Sequence, residues 1–197
     1  HTLNNMPLIH HVINTSKSLN PNKIISIIGY KKELVEESIK EYKTDIAYQL
    51  EQKGTAHAVE QCIDQIKEVG GNTLVLSGDV PFISKTTLEN LINQHTQRGS
   101  IASLISAEIN DPTGYGRIVK DQDGEFIKIV EHKDANKDEL KINEINSGIY
   151  IFETKALCEK ISSVKNNNNQ NEYYLTDIFN FIENKKISII KTDSIKE

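Results

Sequence analysis

The strongest constraint on this chain is a regular exchange between two hydrophobic periods. "KIISIIGY" (Lys23–Tyr30) is an apolar run closed by Gly29, which reads as a buried strand. "KKELVEESIKEY" follows with the spacing of an amphipathic helix, then "TDIAYQL" reads as a short strand. Val59, Cys62, Ile63 and Ile66 fall at i, i+3, i+4 and i+7, one face of a helix. "TLVLSGD" (Thr73–Asp79) is the next strand, and Leu88, Leu91, Ile92 and His95 repeat the helical spacing. An opening helix is marked by Ile9, Val12 and Ile13, with Pro7 in its first turn. Strands alternating with helices predict βαβ units, so an α/β fold with a mostly parallel central sheet and helices on both faces. The crossovers are expected to be right-handed.

The second half changes character. "IASLISAEI", "GRIVKD", "EFIKIVEH" and "EINSGIYIFE" are strand-like, and "DQDG" (Asp121–Gly124) between two of them signals a hairpin. This is a smaller, β-rich part. A helix is expected around Lys155 to Val164, then a polar loop "NNNNQNEYY", then a helix in "LTDIFNFIENK" with Thr176 or Asp177 as its cap. "KISIIKTD" is the last strand. The chain of 197 residues is read as one domain.

The net charge of −5 argues against an electrostatic grip on nucleic acid or an anionic membrane. An anionic substrate therefore needs local help from backbone amides, a few basic residues or a metal. No apolar run approaches membrane-spanning length and no signal peptide is visible, which with two isolated cysteines, Cys62 and Cys158, suggests a cytoplasmic protein with reduced, buried thiols. The start at His1 and the end in "SIKE" both look cut.

In an open α/β sheet, ligands bind beyond the carboxyl ends of the strands. Asp79 is expected at such an end, with Gly78 leaving room for a ligand to approach. One carboxylate at a strand tip suits Mg²⁺, which fills its shell with water and phosphate oxygens; a turn aspartate with a local hydrogen bond is the plainer alternative. Gly54 and Thr55 open a helix whose free amides suit a phosphate or the carbonyl edge of a base, unless Thr55 only caps it. Gln49 is able to read a base edge as donor and acceptor, while His57 reads as a packing or capping residue. "DPTGYGRI" (Asp111–Ile118) is a glycine-rich turn that brings backbone groups to a polar ligand or simply joins strands. Glu131 in "IVEHKDA" is a candidate acceptor for sugar hydroxyls or part of a solvated charge run. Asn146 in "EINSGIYIF" is a candidate ligand contact or a turn residue.

The succession "QLEQKGTAHA", "LSGDVP", "DPTGYGRI", "IVEHKDA", "EINSGIY", "NEYYLTD" resembles the uridyltransferase domain of the bacterial bifunctional N-acetylglucosamine-1-phosphate uridyltransferase/glucosamine-1-phosphate N-acetyltransferase family. The resemblance covers nearly the whole chain and implies a Rossmann-like nucleotidyltransferase fold with a sugar-binding β-rich part. It assigns Gln49, Gly54 and Thr55 to the uracil, and Gly78 and Asp79 to the nucleotide, with Asp79 the Mg²⁺ ligand. Gly116, Glu131 and Asn146 fall to the N-acetylglucosamine moiety; Ser77, Tyr173, Tyr174 and Thr176 line the site more loosely. The family's first strand with its "LAAGxGTRM" loop and its "GVN" motif have no counterpart here, and Asn171 stands where the family has glycine. Without that first, central strand, a gap in the core and unpaired strand edges are expected.

The implied reaction joins UTP and N-acetylglucosamine 1-phosphate into UDP-N-acetylglucosamine, a precursor of peptidoglycan and lipopolysaccharide, with release of pyrophosphate. The fragment alone is expected to be weakly active or inactive. A homotrimer is expected only in a protein that carries the acetyltransferase β-helix. Alternatives are another sugar-1-phosphate nucleotidyltransferase and a non-catalytic nucleotide-sugar binding module. A glycosyltransferase would favour an Asp-x-Asp pattern, which "SGDVP" lacks.

Overall fold

The computed structural model describes residues 2–192. His1 and the end of the chain, with Asp193 of the last expected strand and "SIKE", lie outside the described residues. A two-residue pairing of β1 (Thr2–Leu3) with β2 (Met6–Pro7) opens the chain and leads into α1 (Leu8–Ser18). Pro7 sits just before that helix with φ −54, a value its ring imposes in any case. Then come β3 (Ile25–Ile28), α2 (Lys32–Ile39), β4 (Asp45–Tyr48), α3 (Thr55–Glu60), α4 (Ile63–Val69), β5 (Asn72–Val75) and α5 (Lys85–Arg98). The helix face read through Val59 to Ile66 is thus two short helices, broken at Cys62. Ser84 caps α5, its hydroxyl accepting from the Thr87 amide, and Gly99 ends it in the left-handed region.

The strands β6 (Ala102–Glu108), β7 (Arg117–Lys120), β8 (Phe126–Val130) and β9 (Glu144–Glu153) follow, then α6 (Thr154–Lys160) and β10 (Ile187–Thr192). The architecture is mixed α/β around a central sheet, as expected. The sheet order is β10-β6-β9-β7-β8, with β5 also on β9, and β3 pairs β4 apart from it. The expectation of a mostly parallel sheet needs correction. β10–β6 and β3–β4 are parallel, but β9 runs antiparallel to β5, β6 and β7, and β7–β8 is a hairpin. Parallel neighbours need a long crossover, usually a helix. No α-helix lies between Arg98 and Thr154, so the chain reverses direction from strand to strand there, and the longest strand, β9, takes a central place.

Alternation along β6 and β9 separates two cores. Leu104, Tyr150 and Phe152 pack with α3, α4 and α6 residues such as Val59, Ile66 and Leu157. Ile105, Ile149 and Ile151 face the other way, onto Leu88 and Leu91 of α5. The sheet is therefore covered by helices on both faces. On the α5 face the imidazole of His95 is buried and its Nδ1 lies 2.8 Å from the Ser103 hydroxyl, so its polarity is satisfied and its burial holds its pKa down. Cys62 is buried, which pushes its thiol up to about 11; Cys158 is only half-buried, which corrects the expectation for that residue.

Two features position the site. A 3₁₀ helix, Leu175–Phe181, replaces the α-helix expected there, and Thr176 does not cap it. Leu175 and Ile178, three apart, are both buried, the period of a 3₁₀ turn. Phe179 locks this segment to the sheet, its ring centroid 5.4 Å from Phe152 and 5.7 Å from Tyr150. The second feature is a slot of about 510 Å³ between β3 and β5, lined by Ile25, Ile27, Thr73, Val75, Ile13 and Ile66. Among the described residues β3 pairs only with β4 and β5 only with β9, so each offers one unpaired edge.

Candidate functional site

The base-side turn begins where β4 ends. The Gln49 amide still donates to Ile28 O at 2.8 Å, so the sheet fixes where the residue starts. Its side chain then folds back: Nε2 donates to Gly54 O at 2.9 Å and lies 3.1 Å from His57 Nδ1. Gly54 has φ +112 and passes tightly against Tyr173; a Cβ there would sit 2.5 Å from Tyr173 O. The contact is a backbone seam. Tyr173 N donates to Lys53 O and Ala56 N donates to Tyr173 O, both at 2.8 Å. Thr55 Oγ1 accepts from Leu175 N at 2.9 Å. Thr55 is thus not a helix cap, and the Ala56 amide, second in the six-residue α3, is spent on protein rather than left for phosphate.

The seam yields a contrast between two glycines. Gly54→Ala would force an L side chain into the left-handed region and into backbone atoms, and is expected to cost roughly 1–3 kcal/mol in strain alone. Gly78→Ala would meet only Ile9 Cγ1 at 3.9 Å and is expected to leave the thermal midpoint unchanged. Thermal melts of the two variants test this; equal midpoints would contradict the seam.

The second wall is built on β7, β8 and β9. Gly116 precedes β7, Glu131 follows β8, and Asn146 lies on β9. Asn146 N donates to Gly116 O at 2.9 Å. A Cβ on Gly116 would lie 3.2 Å from Glu131 Oε2 and 3.5 Å from Asn146 Cβ, so Gly116 lies against both residues and an added methyl would press on the Glu131 carboxylate. Thr176 Oγ1 donates to Glu131 Oε1 at 3.0 Å. Burial raises the Glu131 pKa; the Thr176 hydrogen bond opposes this, and the nearby Asp177 and Asp134 add to it. Glu131 is therefore no member of a solvated charge run. The Asn146 amide is held at both ends, Nδ2 donating to the Tyr150 hydroxyl at 2.6 Å and Oδ1 accepting from Gly148 N at 3.3 Å.

The asparagine-rich loop closes over this wall. Asn169 N donates to Asp134 Oδ1 at 2.8 Å and its side chain to Lys133 O at 2.7 Å. Asn171 takes φ +55, the conformation expected where the family has glycine. Tyr174 is buried and its hydroxyl accepts from Gln170 Nε2 at 2.6 Å, so it stiffens the loop from within.

Asp79 sits differently from the expectation of a strand-end carboxylate. β5 stops at Val75, and Gly78-Asp79 form an exposed turn beyond it. Among the described residues Asp79 makes no hydrogen bond or ion pair, so the local turn bond is absent as well. Ser77 Oγ lies 3.6 Å from where a Cβ of Gly148 would be, which joins this turn to the Asn146 wall. A continuous line of contacts thus runs Gln49–Gly54, Thr55–Leu175, Thr176–Glu131–Gly116–Asn146, Gly148–Ser77, and on to Asp79. This linked line, the rim, takes in the other site residues named from sequence; Tyr173 abuts it at Gly54, and Tyr174 braces the loop beside it.

Two residues were undervalued in the sequence. Tyr150 holds Asn146, and the i, i+4 spacing along β9 that puts both on one face was the available signal. His57 holds Gln49, and its place one helical step inside "GTAHA" gave no hint of that.

The sequence profile described as nucleotidyl transferase matches residues 1–193. The chain belongs to the nucleotidyl transferase family. Among curated relatives of this nucleotidyl transferase, the bifunctional protein GlmU of Streptococcus uberis is 42% identical over 187 residues, 94% of this chain and 41% of the relative. The bifunctional protein GlmU of Bacillus mycoides is 41% identical over 199 residues, 100% of this chain and 43% of the relative. The chain therefore spans about two fifths of the length of these relatives. A Bacillus anthracis protein described as a glucose-1-phosphate thymidylyltransferase, crystallised with sucrose, shares the fold of this nucleotidyl transferase with a TM-score of 0.75 at 20% identity, over 98% of this chain and 77% of that one. No helix among the described residues is long and apolar enough to cross a membrane.

Proposed function

We propose that the rim is a uridylyl-transfer site that joins UTP to N-acetylglucosamine 1-phosphate. The observation that carries this reading is that Gly116 lies against both Glu131 and Asn146, with Glu131 tied through Thr176 and Leu175 to the Gln49–Gly54–Thr55 turn. It puts a carboxylate wall suited to sugar hydroxyls beside a turn suited to a base. The similarity to the GlmU proteins supports the same pairing of substrates.

A phosphate oxygen of the sugar phosphate forms the new bond to the α-phosphorus of UTP. The bond from that phosphorus to the β-phosphate bridge breaks, and pyrophosphate leaves. The nucleophile is already anionic near neutral pH, so no base is required of the protein. Gln49, Gly54 and Thr55 hold the uracil, and Gly116, Glu131 and Asn146 hold the N-acetylglucosamine ring. Ser77 and Thr176 set the spacing between the two. Orientation of this kind is worth several kcal/mol of barrier.

Asp79 fits a divalent cation: it is exposed, unpaired among the described residues, and flanked by a glycine with open space around it. A single carboxylate suits Mg²⁺, which fills the rest of its shell with water and phosphate oxygens. Bound there, Mg²⁺ would neutralise phosphate charge and template the two anions. The need for UTP places the work in the cytoplasm.

The test is pyrophosphate release by the full-length gene product with UTP, CTP, ATP, GTP or dTTP, each paired with N-acetylglucosamine 1-phosphate or glucose 1-phosphate. UTP with N-acetylglucosamine 1-phosphate is expected to turn over fastest. Equal or faster turnover with another pair would replace the reading by another sugar-1-phosphate nucleotidyltransferase.

A further inference from the structure

A glutamine beside a nucleobase has two faces, a carbonyl that accepts and an amide that donates, and a free side chain offers either by flipping. Gln49 is not free to choose. The atom 2.9 Å from Gly54 O must be the amide nitrogen, because a backbone carbonyl only accepts. The same nitrogen lies 3.1 Å from His57 Nδ1. That contact is favourable only if Nδ1 carries its lone pair, which makes His57 the neutral Nε2–H tautomer. Both amide hydrogens are then occupied. Among the described residues nothing donates to Gln49 Oε1, so the group left for a ligand is an acceptor alone.

This outcome deepens the uridylyl-transfer reading and rests on it. The pairing edge of uracil carries one donor, N3–H, between two carbonyls. An acceptor-only glutamine facing that edge has one partner there, and at cytosine the same position holds a lone pair. We propose that His57 is a positioning residue for base selection: its Nδ1, together with the Gly54 carbonyl, holds the Gln49 amide in the flip that presents Oε1 to the N3–H of uracil.

His57 reaches no reacting atom in this scheme and acts only through Gln49. His57→Ala removes one of the two acceptors that hold the flip. The preference for UTP over CTP, measured as the ratio of kcat/KM values on the full-length gene product, is expected to fall about five- to tenfold, the worth of one neutral hydrogen bond. The KM for the sugar phosphate is expected to stay constant. In a Gln49→Ala background the same His57 substitution is expected to change nothing, because its route of action is gone. Additive effects across this cycle, or a lower kcat with an unchanged UTP:CTP ratio, would overturn the proposal. A measurement that needs no variant is the ¹⁵N spectrum of the wild-type imidazole: the Nε2–H tautomer is expected at His57, and an Nδ1–H tautomer would contradict the assignment. The unsubstituted protein separates the two levels of the argument. A preference for dTTP over UTP would replace the uridylyl reading and leave the His57 role standing, since thymine has the same N3–H. A preference for ATP or CTP would remove both.

Discussion

Asp79→Asn in the full-length gene product is expected to lower kcat by on the order of 10²–10³-fold, the size of effect seen when one electrostatic stabiliser of transferring charge is removed. The dissociation constant for the uridine nucleotide is expected to stay within about threefold, since the contacts assigned to the base lie on the Gln49–Thr55 turn and not on Asp79. The asymmetry follows from geometry. Asp79 lies in an exposed turn beyond β5 and makes no hydrogen bond or ion pair with the described protein, so the substitution disturbs no fold contact. What it removes is a negative charge at the place where a cation would bridge two anions. Raising Mg²⁺ should recover part of the loss, because a weakened ligand is offset by mass action. Parallel losses in kcat and nucleotide affinity, with no response to Mg²⁺, would mean that Asp79 serves nucleotide binding and holds no metal.

The second large effect is expected at Glu131. Glu131→Gln keeps the size of the side chain and removes its charge. Hydrogen bonds to a charged acceptor are worth about 1.5–3 kcal/mol, so the KM for N-acetylglucosamine 1-phosphate is expected to rise roughly 10- to 150-fold while that for UTP holds. Stability should move the opposite way. Burial raises the folded-state pKa of Glu131 above its ordinary 4.5. Its favourable contribution is therefore complete below that ordinary value and is lost as pH rises through the raised one. At neutral pH the wild type holds a disfavoured buried carboxylate, against Asp134 and Asp177, that the glutamine variant lacks. The variant is expected to melt higher than the wild type at pH 7, with the difference disappearing below about pH 4.5. A variant that melts lower at pH 7, or that loses UTP and sugar phosphate equally, would place Glu131 in the scaffold and not in the sugar wall.

Much of this architecture was legible because it rests on local rules. The switch from helical to strand spacing marked where βαβ units give way to the β-rich part, and the spacing of Leu88, Leu91, Ile92 and His95 marked α5. The direction of the strands was less accessible. β9 pairs with partners as far apart in sequence as β5 and β7, and no local pattern encodes which way a long strand enters a sheet. The 3₁₀ form of Leu175–Phe181 was hidden for a related reason: it is packing of Phe179 among Phe152, Tyr150 and Phe126 that sets the turn, and a short apolar run gives both helical forms the same signature. Within the site, the residue types were readable and their partners were not. Glu131 and Asn146 announce polar chemistry in otherwise apolar strands, but their contact through Gly116 joins three segments. Thr55 shows the limit most clearly. Its neighbours in sequence suggest a helix cap, and the donor it accepts from belongs to Leu175, 120 residues away.

The central claim is that one rim holds a uridine nucleotide at one end and an N-acetylated sugar at the other, with a metal on Asp79 between them. A crystal of the full-length gene product grown with Mn²⁺ and UDP-N-acetylglucosamine addresses it most directly. The account predicts an anomalous peak about 2.1 Å from an Asp79 carboxylate oxygen, the distance for a small hard cation, with the sugar against Gly116, Glu131 and Asn146 and the uracil against Gln49. Product bound across this rim with no anomalous signal near Asp79, or with the sugar away from Glu131, would contradict it.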